Sequence, residues 1–508
     1  MIIRLERKSH IPLFLQIVQQ VKALIAEGVL NIGDKLPPTR ELASNLKVHR
    51  NTVCNAYDEL IADGVIASHV GRGTFVAAGV PVFSKPSAFA RERTSFTPML
   101  WDALFVGEAS ESALQHLLPN GHSDNAISFA YAHPIPELIS VNQIKRCIDS
   151  VLKHDKRVIL QFGESGGYYP LREALVSKMA SFGIKTKTEE ILITNGCQQS
   201  LALIRQVLVG SGDAVLIENP TYPGALSLFE TQSVRCLGIP VNEDGVNITA
   251  LEDMLSRHRV KLIYVTPTFH NPTGTTMDLT KRRRLLDLSL KYGIPIVEDD
   301  IYGDLRYEGE PLPPLKALDE HQSVIYTSSF SKVGFPGLRV GWVSAPKPVI
   351  ARLQEAKQTA DLHTNTLGQA IICELLRTGL MNKLLKRSRQ AYAERRDRML
   401  CALERYFPDS AKWNHPEGGM AIWVTLPAQI DAGNLLSLAM QEGVIFSPGS
   451  RFYFALPERN TMRLTFTLED LEKIDEGVKR LGNVLKKMLI KARTQPRVYE
   501  PVRRAALV

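Results

Sequence analysis

The sequence predicts an α/β protein of more than one domain, with a small head of three helices and a β-hairpin followed by a large, doubly wound parallel sheet. Three observations predict it. The first 78 residues carry short helical periods that end in a glycine-rich hairpin signal. From residue 122 onward, strand-like apolar runs (ILITN, AVLIEN, KLIYVTP, IPIVEDD, SVIYTSS) alternate with helical stretches, the pattern of a sheet covered on both faces. Finally, 508 residues exceed what one hydrophobic core serves, since domains run to ~100–200 residues. The expected boundaries are 1–78 for the head, 79–121 for a linker, 122–492 for the large domain and 493–508 for a basic, disordered tail.

In the head, Leu13, Ile17, Val21, Leu24 and Ile25 recur at helical spacing and form one apolar face. Gly33-Asp34 and Pro37-Pro38 then break the chain. Thr39 stands where it would cap a second helix carrying Leu42, Ala43 and Leu46. A third helix begins near His49 and buries Val53, Ala56, Tyr57 and Leu60. Its other face offers His49, Arg50, Asn51, Thr52 and Asn55, short donors and acceptors suited to base edges and phosphates in a major groove. Two short strands follow, about 65–69 and 74–77. The Val70-Gly71-Arg72-Gly73 link between them permits a tight turn with positive φ and leaves Arg72 at its tip.

The 79–121 stretch mixes proline, serine and charges without a sustained period, apart from a short helical stretch near 110–118, and reads as a linker. Hydrophobic residues at 44% and charged residues at 22% are ordinary for soluble globular protein. No apolar run approaches the ~20 residues that cross a bilayer, and MIIRLERKSH lacks the apolar core of a secretory signal, so a cytoplasmic protein without membrane contact is expected. Six scattered cysteines (54, 147, 197, 236, 373, 401) form no CxxC pair and read as reduced thiols, with no metal site. The net charge of +8 resides mostly in residues 480–508, which hold eight basic side chains against one acid. Residues 1–78 hold nine against seven, so pattern rather than charge marks the head as a nucleic-acid binder.

The chemistry lies in the third zone. Lys332 follows the strand-like SVIYTSSF between small polar residues and a Gly/Pro turn, where burial lowers the basicity of an ammonium and turns it into a nucleophile toward an aldehyde, giving a Schiff base. Thr194-Asn195-Gly196-Cys197-Gln198-Gln199 opens a helix after strand ILI, and exposed N–H groups there form an anion site. Asn219-Pro220-Thr221-Tyr222 puts an aromatic on a loop after a strand, suited to stacking on a flat ring. Asn271-Pro272-Thr273-Gly274 and Glu298-Asp299-Asp300-Ile301-Tyr302 follow two further strands. All lie at carboxyl ends of expected parallel strands, where open α/β sheets bind ligands.

Two resemblances add to this reading. Residues 12–76, with LPPTRELA, HRNTV and GRGTFV at its signature segments, resemble the GntR-family winged helix-turn-helix. The resemblance implies DNA contacts by Arg40, Arg50 and Arg72, supported by Thr52; His49 stands where the family usually has serine, a better cap. Residues 125–485 resemble the fold-type-I aminotransferases, which implies pyridoxal 5′-phosphate and a smaller C-terminal subdomain. Lys332 then forms the aldimine and Asp299 pairs with the pyridine nitrogen. Asn271 and Tyr302 hold the phenolic oxygen and Tyr222 stacks on the ring. The Cys197 and Gln198 backbone with Ser329, Ser331 and Arg339 holds the phosphate, and Arg463 in TMRLTF grips a substrate or effector carboxylate. Phe162 stands where the family often has a tyrosine that reaches the neighbouring subunit. Joined, the halves resemble MocR-type regulators, which implies a head-to-tail homodimer that binds a double-stranded DNA operator and senses the cofactor or an amino compound reacting with it. The alternative is an active aminotransferase with an appended DNA-binding head.

Overall fold

The computed structural model describes residues 3, 5–7, 11–26, 28–69, 73–77, 126–230 and 234–494. The expected linker with its short helix, Arg72 and all but the first two residues of the tail lie outside the described residues. The chain divides into two units between Val106 and Gly107.

The head packs α1 (Leu13–Ala26), α2 (Thr39–Leu46) and α3 (Arg50–Ala62) over one core, closed by a hairpin of β1 (Ile66–His69) and β2 (Gly73–Val76). Ile17, Val21, Leu42, Val53, Ala56 and Leu60 form that core. Each of the valine, leucine and isoleucine side chains stabilises the domain by ~1.5–3 kcal/mol on burial. Two helix starts differ from the sequence reading. Thr39 is the first residue of α2 rather than its cap; Pro38 occupies the cap position, and no side chain caps the helix there. The pyrrolidine ring already fixes φ at the entry, so the hydroxyl of Thr39 is not required for that turn. At α3, His49 is a working cap: its Nδ1 accepts the Asn51 N–H at 3.3 Å.

The second unit holds two sheets. Its first strand is β3 (Ile127–Phe129), followed by β4 (Ile191–Thr194), β5 (Ala214–Asn219), β6 (Arg235–Asn242), β7 (Gly245–Val246), β8 (Val260–Val265), β9 (Ile296–Asp299), β10 (Val324–Ser329) and β11 (Gly341–Ser344). β4 to β11 make one eight-stranded sheet in the order β4-β11-β10-β9-β8-β5-β6-β7. Its centre is parallel, as expected; β11 runs antiparallel to both neighbours, and β7 is antiparallel to β6. Both faces are buried. Val215, Ile217, Leu262, Val297 and Ile325 join one core, while Leu216, Ile263, Ile296 and Val324, one residue out of step, join another.

The last strands are β12 (Lys412–Trp413), β13 (Ala421–Thr425), β14 (Val444–Pro448) and β15 (Thr461–Thr465). They form the smaller sheet, ordered β12-β13-β15-β14-β3. β3 pairs parallel with β14, so the first strand of the unit completes the C-terminal subdomain. The closing helix Leu471–Thr494 buries Ile474, Val478, Leu481 and Leu485 against it. Among the described residues no helix is long and apolar enough to cross a membrane, and no group of histidines, cysteines and acids is placed to hold a metal ion. All six cysteines are free thiols.

Candidate functional site

The sheet topology brings the carboxyl ends of β4, β5, β8, β9 and β10 to one edge. Lys332 lies in the turn after β10, and its Nζ donates to the Ala132 carbonyl at 2.8 Å. Burial pushes its ammonium down to about 8, helped by the neighbouring cations Arg463 and Arg339 and opposed by Cys197 and Asp299. An amine of that basicity is in substantial part neutral, and hence nucleophilic, near physiological pH.

Asp299 ends β9 and is buried. The Tyr264 hydroxyl, from the next-to-last residue of β8, donates to its Oδ2 at 2.9 Å; its Oδ1 is buried with no partner among the described residues. Burial raises the carboxyl to about 7; the Tyr264 bond counters this, and the Asp300 and Glu218 carboxylates add to it. A buried acceptor left open in this way calls for a donor, and a cationic N–H satisfies both its lone pairs and its charge.

At the other end of the cleft, Gly196 takes φ 89° and starts the helix Cys197–Leu208, whose first N–H groups have no intrahelical acceptors. A Cβ on Gly196 would lie 2.7 Å from Arg339 Nη2, so glycine is needed both for the backbone and for that approach. Arg339 donates to the Asn195 carbonyl at 2.9 Å and to Ser331 Oγ at 3.5 Å, and the Ser331 N–H donates to Ser329 Oγ at 3.1 Å. A helix start, two hydroxyls and a guanidinium thus converge into a cradle for a dianion. Burial pushes the Cys197 thiol well above its usual range, so its backbone rather than its sulfur is the useful group. Tyr222 lies alongside, its hydroxyl donating to Gln198 Oε1 at 3.3 Å.

Arg463 sits in the middle of β15, buried. Its Nη1 donates to Asn271 Oδ1 at 2.8 Å and its Nη2 to the Ala130 carbonyl at 2.7 Å, while its Nε is buried with no partner among the described residues. It stacks 4.8 Å from the Phe452 ring and has no carboxylate partner among the described residues. A buried guanidinium held only by neutral acceptors is a site for an anion. Tyr302 is buried beside it, and burial raises its phenol. The structure therefore gathers Lys332, Asp299, Asn271, Tyr302, Tyr222, Cys197, Gln198, Ser329, Ser331, Arg339 and Arg463 around one cleft.

Sequence reasoning missed Tyr264, which reads as one more apolar strand residue in KLIYVTP, and the Ala130–His133 segment, whose role is carried by carbonyls. In the head, Arg40 and Arg50 are exposed and Thr52 is half-buried.

A doubly wound sheet with one inserted antiparallel strand, and a second sheet closed by the first strand of the unit, make a fold-type-I protein. The class I and II aminotransferase family profile matches residues 125–481, and that of the gntR family of bacterial regulatory proteins matches residues 13–76. Aromatic-amino-acid aminotransferase 1 of Thermococcus litoralis is 41% identical over 75% of this chain and 93% of its own. The uncharacterized HTH-type transcriptional regulator YisV of Bacillus subtilis is 32% identical over 95% of this chain and 98% of its own. The crystal structure of the multiple substrate aminotransferase from Thermococcus profundus is 38% identical, with a TM-score of 0.73 over 77% of this chain and 100% of that one. The chain belongs to the class I and II aminotransferase family, dependent on pyridoxal phosphate, and carries the DNA-binding domain of the gntR family at its N-terminus: the MocR-type architecture.

Proposed function

We propose that this protein is a DNA-binding transcription regulator that holds pyridoxal phosphate on Lys332 and senses the cofactor, or an amino-acid-like effector reacting with it. One observation carries the reading: a gntR-type head is fused to a cleft that retains an amine of lowered basicity and, among the described residues, a buried carboxylate oxygen with no donor and a buried arginine with no carboxylate partner.

Bound in the cleft, pyridoxal phosphate supplies an aldehyde that condenses reversibly with amines and a pyridinium that withdraws electrons. The chain's residues fit it. Lys332 would present the amine, and Asp299 Oδ1 would accept a hydrogen bond from the ring N–H and so keep the ring nitrogen protonated. Asn271 and Tyr302 hold the phenolic oxygen, and Tyr222 covers the ring face. The Cys197 and Gln198 N–H groups, Ser329, Ser331 and Arg339 hold the phosphate. Arg463 takes an effector carboxylate bidentately by exchanging its neutral acceptors for a charged one.

A head-to-tail homodimer goes with this reading. Phe162 is 86% exposed and meets the His363 ring edge-on, and Leu160 and Leu362 are exposed as well, an apolar surface suited to a second copy. Two heads, reading paired half-sites through Arg40, Arg50, Thr52 and Arg72, make the operator affinity depend on how the dimer is held. The effector must then bind two arrangements unequally.

The test is fluorescence anisotropy and footprinting on the DNA flanking the protein's own coding sequence, with pyridoxal phosphate and a panel of amino acids. A change in affinity or footprint supports sensing; constancy across the panel sinks it. The active-enzyme alternative is less favoured because the aminotransferase relative covers 75% of this chain, whereas the regulator YisV covers 95%. Rapid multiple turnover with a keto acid would restore it.

A further inference from the structure

Asp361 closes the helix Lys347–Asp361, outside the cleft, and no role described so far requires it. A carboxylate at a helix C-terminus opposes the helix dipole, so the helix itself does not favour an acid there. Yet this acid is held on three sides. Its Oδ2 accepts from Asn195 Nδ2 and Gln199 Nε2, each at 2.6 Å, and its Oδ1 accepts from Lys357 Nζ at 2.7 Å. Lys357 is fully buried, and that burial lowers its basicity.

Asn195 is the residue these bonds immobilise. Its side chain goes to Asp361, its N–H donates to Gln199 Oε1 at 2.7 Å, and its carbonyl accepts Arg339 Nη2 at 2.9 Å. Directly after it come Gly196 with its positive φ and the first N–H groups of the helix Cys197–Leu208. Just past Asp361, the non-glycine Leu362 adopts φ 61°, a strained backbone held in place at the end of the network.

We infer that Asp361 is a positioning residue for the phosphate cradle: through Asn195 and Gln199 it fixes the direction of the Cys197 and Gln198 N–H groups and the seat of Arg339. The inference rests on the cradle assignment above. Asp361 touches none of the groups that would meet the phosphate; it acts by removing their freedom, so that the cradle is formed before its ligand arrives.

The test uses the full-length protein freed of cofactor, titrated with pyridoxal phosphate and separately with pyridoxal, which lacks the phosphate. In Asp361→Asn, either orientation of the amide sets a donor against a donor, Lys357 on one side or Asn195 and Gln199 on the other. The expected result is a fall of about tenfold in the preference for pyridoxal phosphate over pyridoxal, with pyridoxal affinity unchanged, the equivalent of one hydrogen bond. Asn195→Ala cuts the same link from the other end and is expected to show the same loss should Asp361→Asn fold poorly. An unchanged preference in a folded variant overturns the inference. So does an equal weakening of both ligands, which would mark a general structural role. Equal binding of the two ligands by the wild type would instead refute the cradle itself, and the inference with it.

Discussion

The Tyr264 hydroxyl donates to Asp299 Oδ2 from inside β8, while Oδ1 of the same enclosed carboxylate has no donor among the described residues. Without that donor the carboxylate has less to offset its desolvation. Tyr264→Phe should therefore raise the Asp299 carboxyl further and weaken pyridoxal phosphate by roughly tenfold or more, the worth of one hydrogen bond to a charged group. Equilibrium titration of the cofactor-free protein reads the change, and an affinity equal to wild type would show that Tyr264 does not support Asp299.

Asp299 should also show its cost when nothing binds it. Its carboxyl stands at about 7 in the folded chain against 3.8 ordinarily, so ionisation destabilises the folded state as pH rises between those values. Asp299→Asn keeps an acceptor for Tyr264 and removes the charge. The cofactor-free variant is expected to melt about 2 °C or more above wild type at pH 8, with the gain gone near pH 4. The same variant should bind pyridoxal phosphate far more weakly. Melting below wild type at pH 8 would refute the assignment of a buried, uncompensated carboxylate.

Much of this cleft was legible in the sequence because its chemistry hangs on strand ends. An apolar run followed by a polar turn marks the segments that hold Asp299, Lys332 and Asn271, the resemblance to the fold-type-I aminotransferases singles out these residues within them, and parallel pairing then carries them to one edge. Tyr264 was hidden because a tyrosine inside a strand is ordinary packing until its hydroxyl finds a partner. Asp361 was hidden for another reason: its amide partners Asn195 and Gln199 lie more than 160 residues away, and a helix C-terminus gives no signal for long-range amides. The pairing of β3 with β14 was likewise illegible, since a three-residue strand has too little pattern to announce a partner across the whole unit. Thr39 misled because cap chemistry and proline entry compete for the same turn, and proline took it.

Attachment of the cofactor should follow the Lys332 amine. With its ammonium at about 8, the rate of adduct formation is expected to rise about tenfold per pH unit at acid pH and to flatten above 8, because only the neutral amine attacks the aldehyde. Arg463 is the largest charge depressing that value, so Arg463→Gln should move the midpoint upward. Stopped-flow absorbance gives the profile, and borohydride trapping with mass analysis places the adduct on Lys332. A pH-independent rate would contradict a titrating amine in this window.

Arg463→Gln should separate the two ligands of the cleft. The guanidinium offers its charge to a carboxylate, and losing a bidentate charged contact costs about 2 kcal/mol, roughly thirtyfold in affinity. Amino-acid effectors should weaken by that order, while pyridoxal phosphate, held by Asp299 and the cradle, should change by less than about threefold. Calorimetric titration of each ligand decides it, and equal losses for both would place Arg463 in the cofactor site instead.

The head gives the last test, through His49. Its Nδ1 accepts the Asn51 N–H and so acts as the cap of α3, whose first turn carries Arg50 and Thr52. A ring nitrogen can accept only through its free lone pair, so the cap depends on Nδ1 acting as an acceptor. His49→Ala removes the cap, costs about 1 kcal/mol and frays the turn from which Arg50 projects. His49→Ser should restore it, because a serine oxygen reaches the same N–H groups. Operator affinity is expected to fall with alanine and recover with serine, while the slope of log affinity against log salt stays constant, since no phosphate-neutralising charge has been lost. A shallower slope in both variants would instead make His49 a charged phosphate contact, and the capping role would not account for its effect on DNA.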